Sequence, residues 1–256
     1  MVSDLISALI LAVVQGITEW FPISSSGHLV LIEKLLGFSG GLVFEVALHF
    51  GTLMAVFVYF GRDITEIVRD LFSFKFKTEH GRMGLFLILA SIPAGIAGYL
   101  IKDFFDAISS LGITALGFAI TGILLLITSF SGVRKGNMNS VKVLGIGIAQ
   151  AVSIIPGISR SGATISSGVL LGLSEKNAMK FAFLMAIPVI FGANIIAIGT
   201  KTLPPTLIWA TLVSFIVGLL SIHLVFKYVL TSRKNFKWFG FYCLILAFVL
   251  LIYLMI

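Results

Sequence analysis

Charge is scarce in this chain. Only 11% of its 256 residues are Asp, Glu, Lys or Arg, against 58% hydrophobic, and the mean hydropathy is +1.11. Soluble domains carry about 25% charged residues, so a water-exposed globular fold is excluded. Cysteine is nearly missing as well: a lone Cys243 rules out an intramolecular disulfide and any cysteine metal cluster. Basic residues are missing ahead of the first apolar run, where MVSDLISALILAVV carries Asp4 alone; this start is expected to stay in the mature protein rather than to be cleaved as a signal peptide. Finally, the net charge of +7 comes without an aromatic-interleaved basic patch. Its basic residues are spread over short loops, which argues for membrane topology and against nucleic acid.

What the chain does contain is apolar runs near the roughly 20 residues that span a bilayer. They lie at about 42–60, 83–101, 112–130, 178–199, 204–226 and 238–256, and two further runs, 5–36 and 141–173, are apolar but broken. Arg62, Arg69, Lys75, Lys77 and Arg82 fill the loop 61–82; Arg134, Lys135 and Lys142 follow at 132–142; Lys227, Arg233, Lys234 and Lys237 sit at 227–237. These loops are expected in the cytoplasm, and loops 102–111 and 200–206, with Lys102 and Lys201, outside. A full crossing by 141–173 would carry the last basic loop outward, so that segment is expected to dip in and return, with Lys176 and Lys180 inside.

The two broken runs are copies. QGITEWFPISSSG at 15–27 and QAVSIIPGISRSG at 150–162 align without a gap, matching Gln15 to Gln150, Ser24 to Ser159, Ser26 to Ser161 and Gly27 to Gly162. Three crossings lie between them, so the second copy is inverted. The expected fold is an all-α integral membrane protein forming a single membrane domain over residues 1–256. It is an inverted-topology repeat, of about 1–131 and 136–256, with six transmembrane helices plus two re-entrant helical hairpins that meet near the midplane and both termini outside.

Pro22 and the Pro156-Gly157 pair break the backbone ladder where hydrocarbon cannot replace it. Beside the breaks stand Ser24, Ser25, Ser26, Gly27 and His28 in one copy, and Ser159, Arg160, Ser161, Gly162 and Thr164 in the other. Hydroxyls and glycine-exposed N–H groups suit an anion, and Arg160 adds a fork suited to phosphate. Ionisable groups in a membrane are functional candidates, here Glu19, His28 and Arg160; the alternative is a structural Glu19–Arg160 ion pair. Gln15 and Glu19, four apart, share a helical face and suit a divalent cation or a base. Glu45 and His49 form a second such pair, read as packing behind the site or as a hairpin anchor, and His80 and His223 are given no role.

QGITEWFPISSSGH at 15–28 and PGISRSGAT at 156–164 resemble the two signature motifs of the bacterial undecaprenyl-pyrophosphate phosphatase family of the BacA type, an (E/Q)xxxE helix with its Ser-rich GH turn and PGxSRSxxT. The resemblance covers the whole chain in length and span pattern. It implies a multi-pass enzyme of the bacterial cytoplasmic membrane that removes the terminal phosphate of undecaprenyl pyrophosphate and so recycles the carrier for peptidoglycan and other envelope polymers. It also implies dependence on a divalent cation, Mg2+ or Ca2+, and bacitracin resistance when the protein is abundant, since that antibiotic sequesters the same lipid.

By the same resemblance Ser25 is the nucleophile, Glu19 and His28 are the acid–base candidates, and Ser159, Arg160 and Thr164 bind phosphate. Ser24, Ser26, Gly27, Ser161 and Gly162 are expected to add donors, and Glu19 with Gln15 to hold the metal. Where the first motif has its leading carboxylate this chain has Gln15, an amide that cannot act as a base, so Glu19 carries that load. Ser25 and Arg160 fall on the same repeat position, which sets a nucleophile opposite a cation if the hairpin tips face each other.

The expected partners are the polyprenyl substrate and membrane lipid, with a homodimer as the candidate assembly and access from the outer face. The short SSGH and SR strings are also similar to the phosphatidic-acid phosphatase superfamily, whose nucleophile is histidine, but the long Lys-to-Arg-Pro motif of that superfamily is missing. A reading from another class is a lipid-phosphate or anion transporter, or a flippase, because inverted repeats with broken helices also build those.

Overall fold

The computed structural model describes residues 2–38, 40–101, 110–132, 136–198, 205–229 and 232–255, all helix or connecting turn. Lys102, Arg134, Lys135 and Lys201, which figured in the topology above, lie outside the described residues. Six helices are long and apolar enough to cross a bilayer. They are α3 (Gly41–Tyr59), α5 (Glu79–Ile101), α6 (Leu111–Phe130), α9 (Glu175–Ile198), α10 (Pro205–Leu224) and α11 (Phe236–Met255). Their outward faces expose Ile, Leu and Phe side chains, as lipid requires. This is a multi-pass membrane protein.

The broken runs become two helix–turn–helix units. α1 (Val2–Thr18) and α2 (Ser25–Leu36) form the first, and α7 (Ser140–Val152) with α8 (Arg160–Leu170) the second. The breaks fall where the sequence places them, at Pro22 and at Pro156-Gly157, with Gly157 at φ +89°, a conformation that side-chain-bearing residues rarely adopt. The second unit returns to where it started: the N–H of Gly136, ahead of α7, donates to the carbonyl of Gly172, beyond α8, at 2.9 Å.

Contacts between helices repeat in exchanged order. α1 packs on α10, and its repeat equivalent α7 packs on α5, the equivalent of α10; α3 pairs with its own equivalent α9, and α6 with α11. This exchange of partners is the pattern that a two-fold relation between the halves would give. It brings the basic loops to one side of the bundle. Arg233 donates to Glu175 at 2.7 Å and to the carbonyl of Gly132 at 2.7 Å, and Lys180 bridges to Asp63 at 2.5 Å.

One element was not expected. Residues 61–82, read as a loop from their charge, contain the amphipathic helix α4 (Gly61–Phe72), which buries Ile67 while Arg62, Thr65 and Arg69 face out. His80, given no role, approaches Glu66 of this helix at 3.0 Å. High charge density hid an apolar stripe at helical spacing.

The two tips dock on each other and on α6. Thr121 accepts from the Ser159 N–H at 2.9 Å and donates to the Gly157 carbonyl at 3.0 Å, while Ser161 donates to the Phe21 carbonyl at 3.0 Å. Gly27 makes the approach fit: a methyl group there would lie 2.6 Å from the Phe118 ring and 3.0 Å from the Gly157 Cα. Gly27→Ala is therefore expected to cost roughly 1–3 kcal/mol by overpacking, read as a lower melting temperature in detergent; an unchanged melting temperature would show that Phe118 swings aside freely.

Candidate active site

Ser25 and Arg160, matched in the repeat, are the first residues of α2 and α8. Each helix is capped one residue earlier by a serine. Ser24 Oγ accepts from the Gly27 N–H at 3.3 Å, Ser159 Oγ accepts from the Gly162 N–H at 3.0 Å, and the paired hydroxyls Ser24–Ser26 and Ser159–Ser161 lie 3.3 and 3.2 Å apart. The caps differ in backbone. Ser159 is extended, whereas Ser24 sits at φ 68°, a strained conformation for a side-chain-bearing residue, immediately before Ser25.

Glu19, in the turn after α1, joins the two helix N-termini. Its Oε2 accepts from Ser25 Oγ at 2.5 Å and from Gln15 Nε2 at 3.0 Å, and its Oε1 pairs with Arg160. The expected i,i+4 face thus forms, but its effect is that the Gln15 amide orients the carboxylate. Arg160 also donates to the Ala182 carbonyl at 3.2 Å and lies over the Trp20 ring, with its guanidinium carbon 5.5 Å from the centroid. Two of its five N–H groups are engaged in this way. The ion pair read as an alternative exists, and it does so on the wall of a cavity of about 270 Å3 that Ser25 also lines.

Glu19, Ser24, Ser25, Ser26 and Arg160 share that cavity. Two residues assigned elsewhere join them. His49 brings Nε2 to 3.5 Å from Glu19 Oε2 while its Nδ1 sits 2.8 Å from the Glu45 carbonyl, and Glu45 itself lines the wall. Their i,i+4 spacing inside a membrane span was the visible signal. The other expected binders lie in the tips: Ser159 and Ser161 are bonded as above, Gly162 passes close to the Pro22 carbonyl, and Thr164 donates to the carbonyl of Arg160 at 2.7 Å. His28 stands apart from the cavity, with Nδ1 2.6 Å from the Ser24 carbonyl and Nε2 2.7 Å from the Tyr242 hydroxyl.

Gln15 and Glu19 do not fit a protein-held divalent ion. The amide turns a donor toward the carboxylate, and both carboxylate oxygens already accept from Ser25 and Arg160. Among the described residues no three His, Cys, Asp or Glu side chains converge as metal ligands.

Two helix N-termini, each worth roughly half a positive charge, converge with a guanidinium on a hydroxyl whose proton faces a carboxylate. In a membrane bundle, such a set of groups is of the kind that suits an anion. The family model for bacitracin resistance protein BacA matches residues 8–249, and the chain belongs to that family. Its relatives include proteins named undecaprenyl-diphosphatase. That of Thermosipho melanesiensis is 39% identical, over 93% of this chain and 95% of its own length. Those of Rubrobacter xylanophilus and Methanosphaera stadtmanae are 38% and 35% identical, with 95% and 97% of this chain covered and 96% and 98% of theirs.

Proposed function

We propose that this protein hydrolyses undecaprenyl pyrophosphate to undecaprenyl phosphate and inorganic phosphate, recycling the lipid carrier for cell-wall synthesis. The observation that carries the reading is the Ser25 hydroxyl donating to Glu19 at 2.5 Å, on the carboxylate whose other oxygen pairs with Arg160. Glu19 takes the Ser25 proton as Oγ attacks the terminal phosphorus. The bridging P–O bond breaks and the lipid phosphate leaves with the electron pair. Arg160 and the N–H groups of the two first turns hold the equatorial oxygens, which is most of what phosphoryl transfer asks of a protein. Glu19, now protonated, gives that proton to the departing lipid phosphate; as a carboxylate again it takes a proton from the water that attacks phosphoserine 25 and passes it to Ser25 Oγ as the Oγ–P bond breaks and inorganic phosphate leaves. The position of His28, bound to Ser24 and Tyr242, favours Glu19 over it as the base.

The setting is proposed to be the bacterial cytoplasmic membrane, with the three basic loops inside, both units re-entrant and inverted, and the cavity reached from the outer face. The chemistry draws on one chain and requires no homodimer. A divalent cation, magnesium or calcium, is proposed to arrive bound to the pyrophosphate oxygens, as such ions commonly do. A transporter would account for Arg160 but not for a carboxylate set against an anionic cargo and primed on a serine. Phosphate release from undecaprenyl pyrophosphate by the detergent-solubilised protein, with and without a chelator, separates the two. Release that stops on chelation and resumes with magnesium or calcium is expected, whereas no release from folded protein would leave the transporter.

A further inference from the structure

A second cavity, of about 440 Å3, lies where α5 and α9 begin and shares no lining residue with the reactive cavity. Lys77, Arg82 and Lys180 line it together with the amides of Asn137 and Asn177, while Met83, Phe86 and Met138 form an apolar wall. α5 and α9 are long and apolar enough to span a bilayer, so their first turns stand at the edge of the hydrocarbon, at the level of phospholipid head groups. Lys142 brings a further ammonium to Gly136 on the same wall, where a Cβ would lie 2.5 Å from its Nζ. Two carboxylates stand near these cations: Glu79 on the wall, and Asp63, which Lys180 bridges at 2.5 Å. Among the described residues neither Lys77 nor Arg82 pairs with a carboxylate; Arg82 lies over the Phe86 ring, 5.9 Å from its centroid.

The segment that leads into this cavity holds apolar rings outward. In LFSFKFK at 71–77, Phe72 and Phe74 are 82% and 78% exposed and stand beside the exposed Lys75 and Lys77. Phe74 sits at φ 55°, a left-handed conformation that a bulky side chain adopts only under constraint. The constraint is a hydrogen-bonded turn. The Lys75 N–H donates to the Asp70 carbonyl at 2.9 Å, and Thr78 Oγ1 donates to the Asp70 carboxylate at 2.7 Å. Gly81 lets the turn close, since a Cβ there would lie 2.1 Å from the Lys75 carbonyl oxygen. Two rings kept out of the protein beside two ammonium groups suit the boundary of an anionic bilayer rather than water.

We propose that this cavity binds the phosphodiester head group of an anionic membrane phospholipid, such as phosphatidylglycerol, whose acyl chains run beside Phe72 and Phe74. Lys77 and Arg82 donate to the phosphate oxygens, and the amides of Asn137 and Asn177 serve the glycerol hydroxyls. Side chains do the recognising. The first-turn N–H groups are already taken, that of Gly81 by Thr78 Oγ1 at 3.0 Å and that of Asn177 by Ser174 Oγ at 3.3 Å. The apolar wall and the two exposed rings favour a lipid over free phosphate, which has no apolar part to set against them. The site lies apart from Ser25 and does not depend on the phosphatase reading.

Native mass spectrometry of the detergent-solubilised full chain, titrated with phosphatidylglycerol and with phosphatidylcholine, reads the site directly. One phosphatidylglycerol is expected to be held about tenfold more tightly than phosphatidylcholine, which shares the phosphodiester but carries a cation of its own. Lys77→Gln combined with Arg82→Gln is expected to abolish that preference and to leave the melting temperature without lipid unchanged. Arg62→Gln combined with Lys237→Gln removes the same charge from basic segments outside the cavity and should keep the preference. Equal retention of the two lipids by the unaltered protein would overturn the proposal without recourse to any variant. An equal loss in the Arg62 and Lys237 control would also overturn it, by showing diffuse attraction to surface charge. Displacement of phosphatidylglycerol by millimolar inorganic phosphate would do the same, making the occupant a free anion.

Discussion

Ser25→Ala is expected to reduce phosphate release by roughly a thousandfold or more, because it removes the bond-forming oxygen rather than a binding contact. Lipid pyrophosphate should still bind with little change, since Arg160 and the two helix N-termini persist. Ser24→Ala and Ser26→Ala should lose less. Ser24 caps α2 and Ser26 sits beside it at 3.3 Å, and neither is bonded to Glu19 in the described structure. Glu19 accepts the Ser25 proton at 2.5 Å, so the pair acts as one unit and the losses from Ser25→Ala and Glu19→Gln should not multiply.

Mass spectrometry of a rapidly quenched reaction separates the chemistries that compete with a serine nucleophile. Phosphoserine at 25 is expected. Substantial turnover in Ser25→Ala would shift the nucleophile to His28 or to water activated by Glu19, and phosphohistidine at 28 would identify the former. The geometry argues against His28, whose Nε2 faces the Tyr242 hydroxyl at 2.7 Å rather than the cavity.

The spans were legible because a bilayer imposes a length and a hydropathy that soluble packing does not, and the boundaries at Gly41, Leu111 and Phe236 lie within a few residues of the apolar runs. The breaks were legible because Pro22 and Pro156 stand beside clustered serines and glycines; proline alone is no such signal, since Pro93 and Pro188 lie inside α5 and α9. The meeting of Ser25 and Arg160 followed from a gapless repeat. What stayed hidden is tertiary. His49 reaches Glu19 from another helix, and Tyr242 reaches His28 across 214 positions, distances that no local pattern encodes.

The hydroxyl-rich strings also serve the packing of the tips. Close-packed helix tips and phosphate sites draw on the same small polar residues, so Ser159, Ser161 and Thr164 look like ligand donors in sequence while in the fold they cap α8, dock on Phe21 and bond back to Arg160. Only spatial placement separates the serine that faces the cavity from its repeat-related neighbours.

Arg160→Lys puts the remaining ambiguity to a test, because the Glu19–Arg160 pair reads either as a structural counter-ion or as half of a phosphate clamp. Lysine preserves the positive charge near Glu19, so a structural role predicts near-normal turnover and an unchanged melting temperature. A clamp predicts something different. The guanidinium donates to the Ala182 carbonyl at 3.2 Å, lies over Trp20 and presents a planar fork; an ammonium can make single contacts of the first two kinds but has no fork. The arginines that stabilise transferring phosphoryl groups are worth about a thousandfold or more, of which lysine recovers the charge but not the two-point geometry. Turnover is therefore expected to fall roughly a hundredfold, with the fold intact by thermal melting and KM changing less than kcat. Near-normal turnover in Arg160→Lys would return Arg160 to the role of counter-ion and leave the helix N-termini as the protein's principal hold on the transferring phosphate.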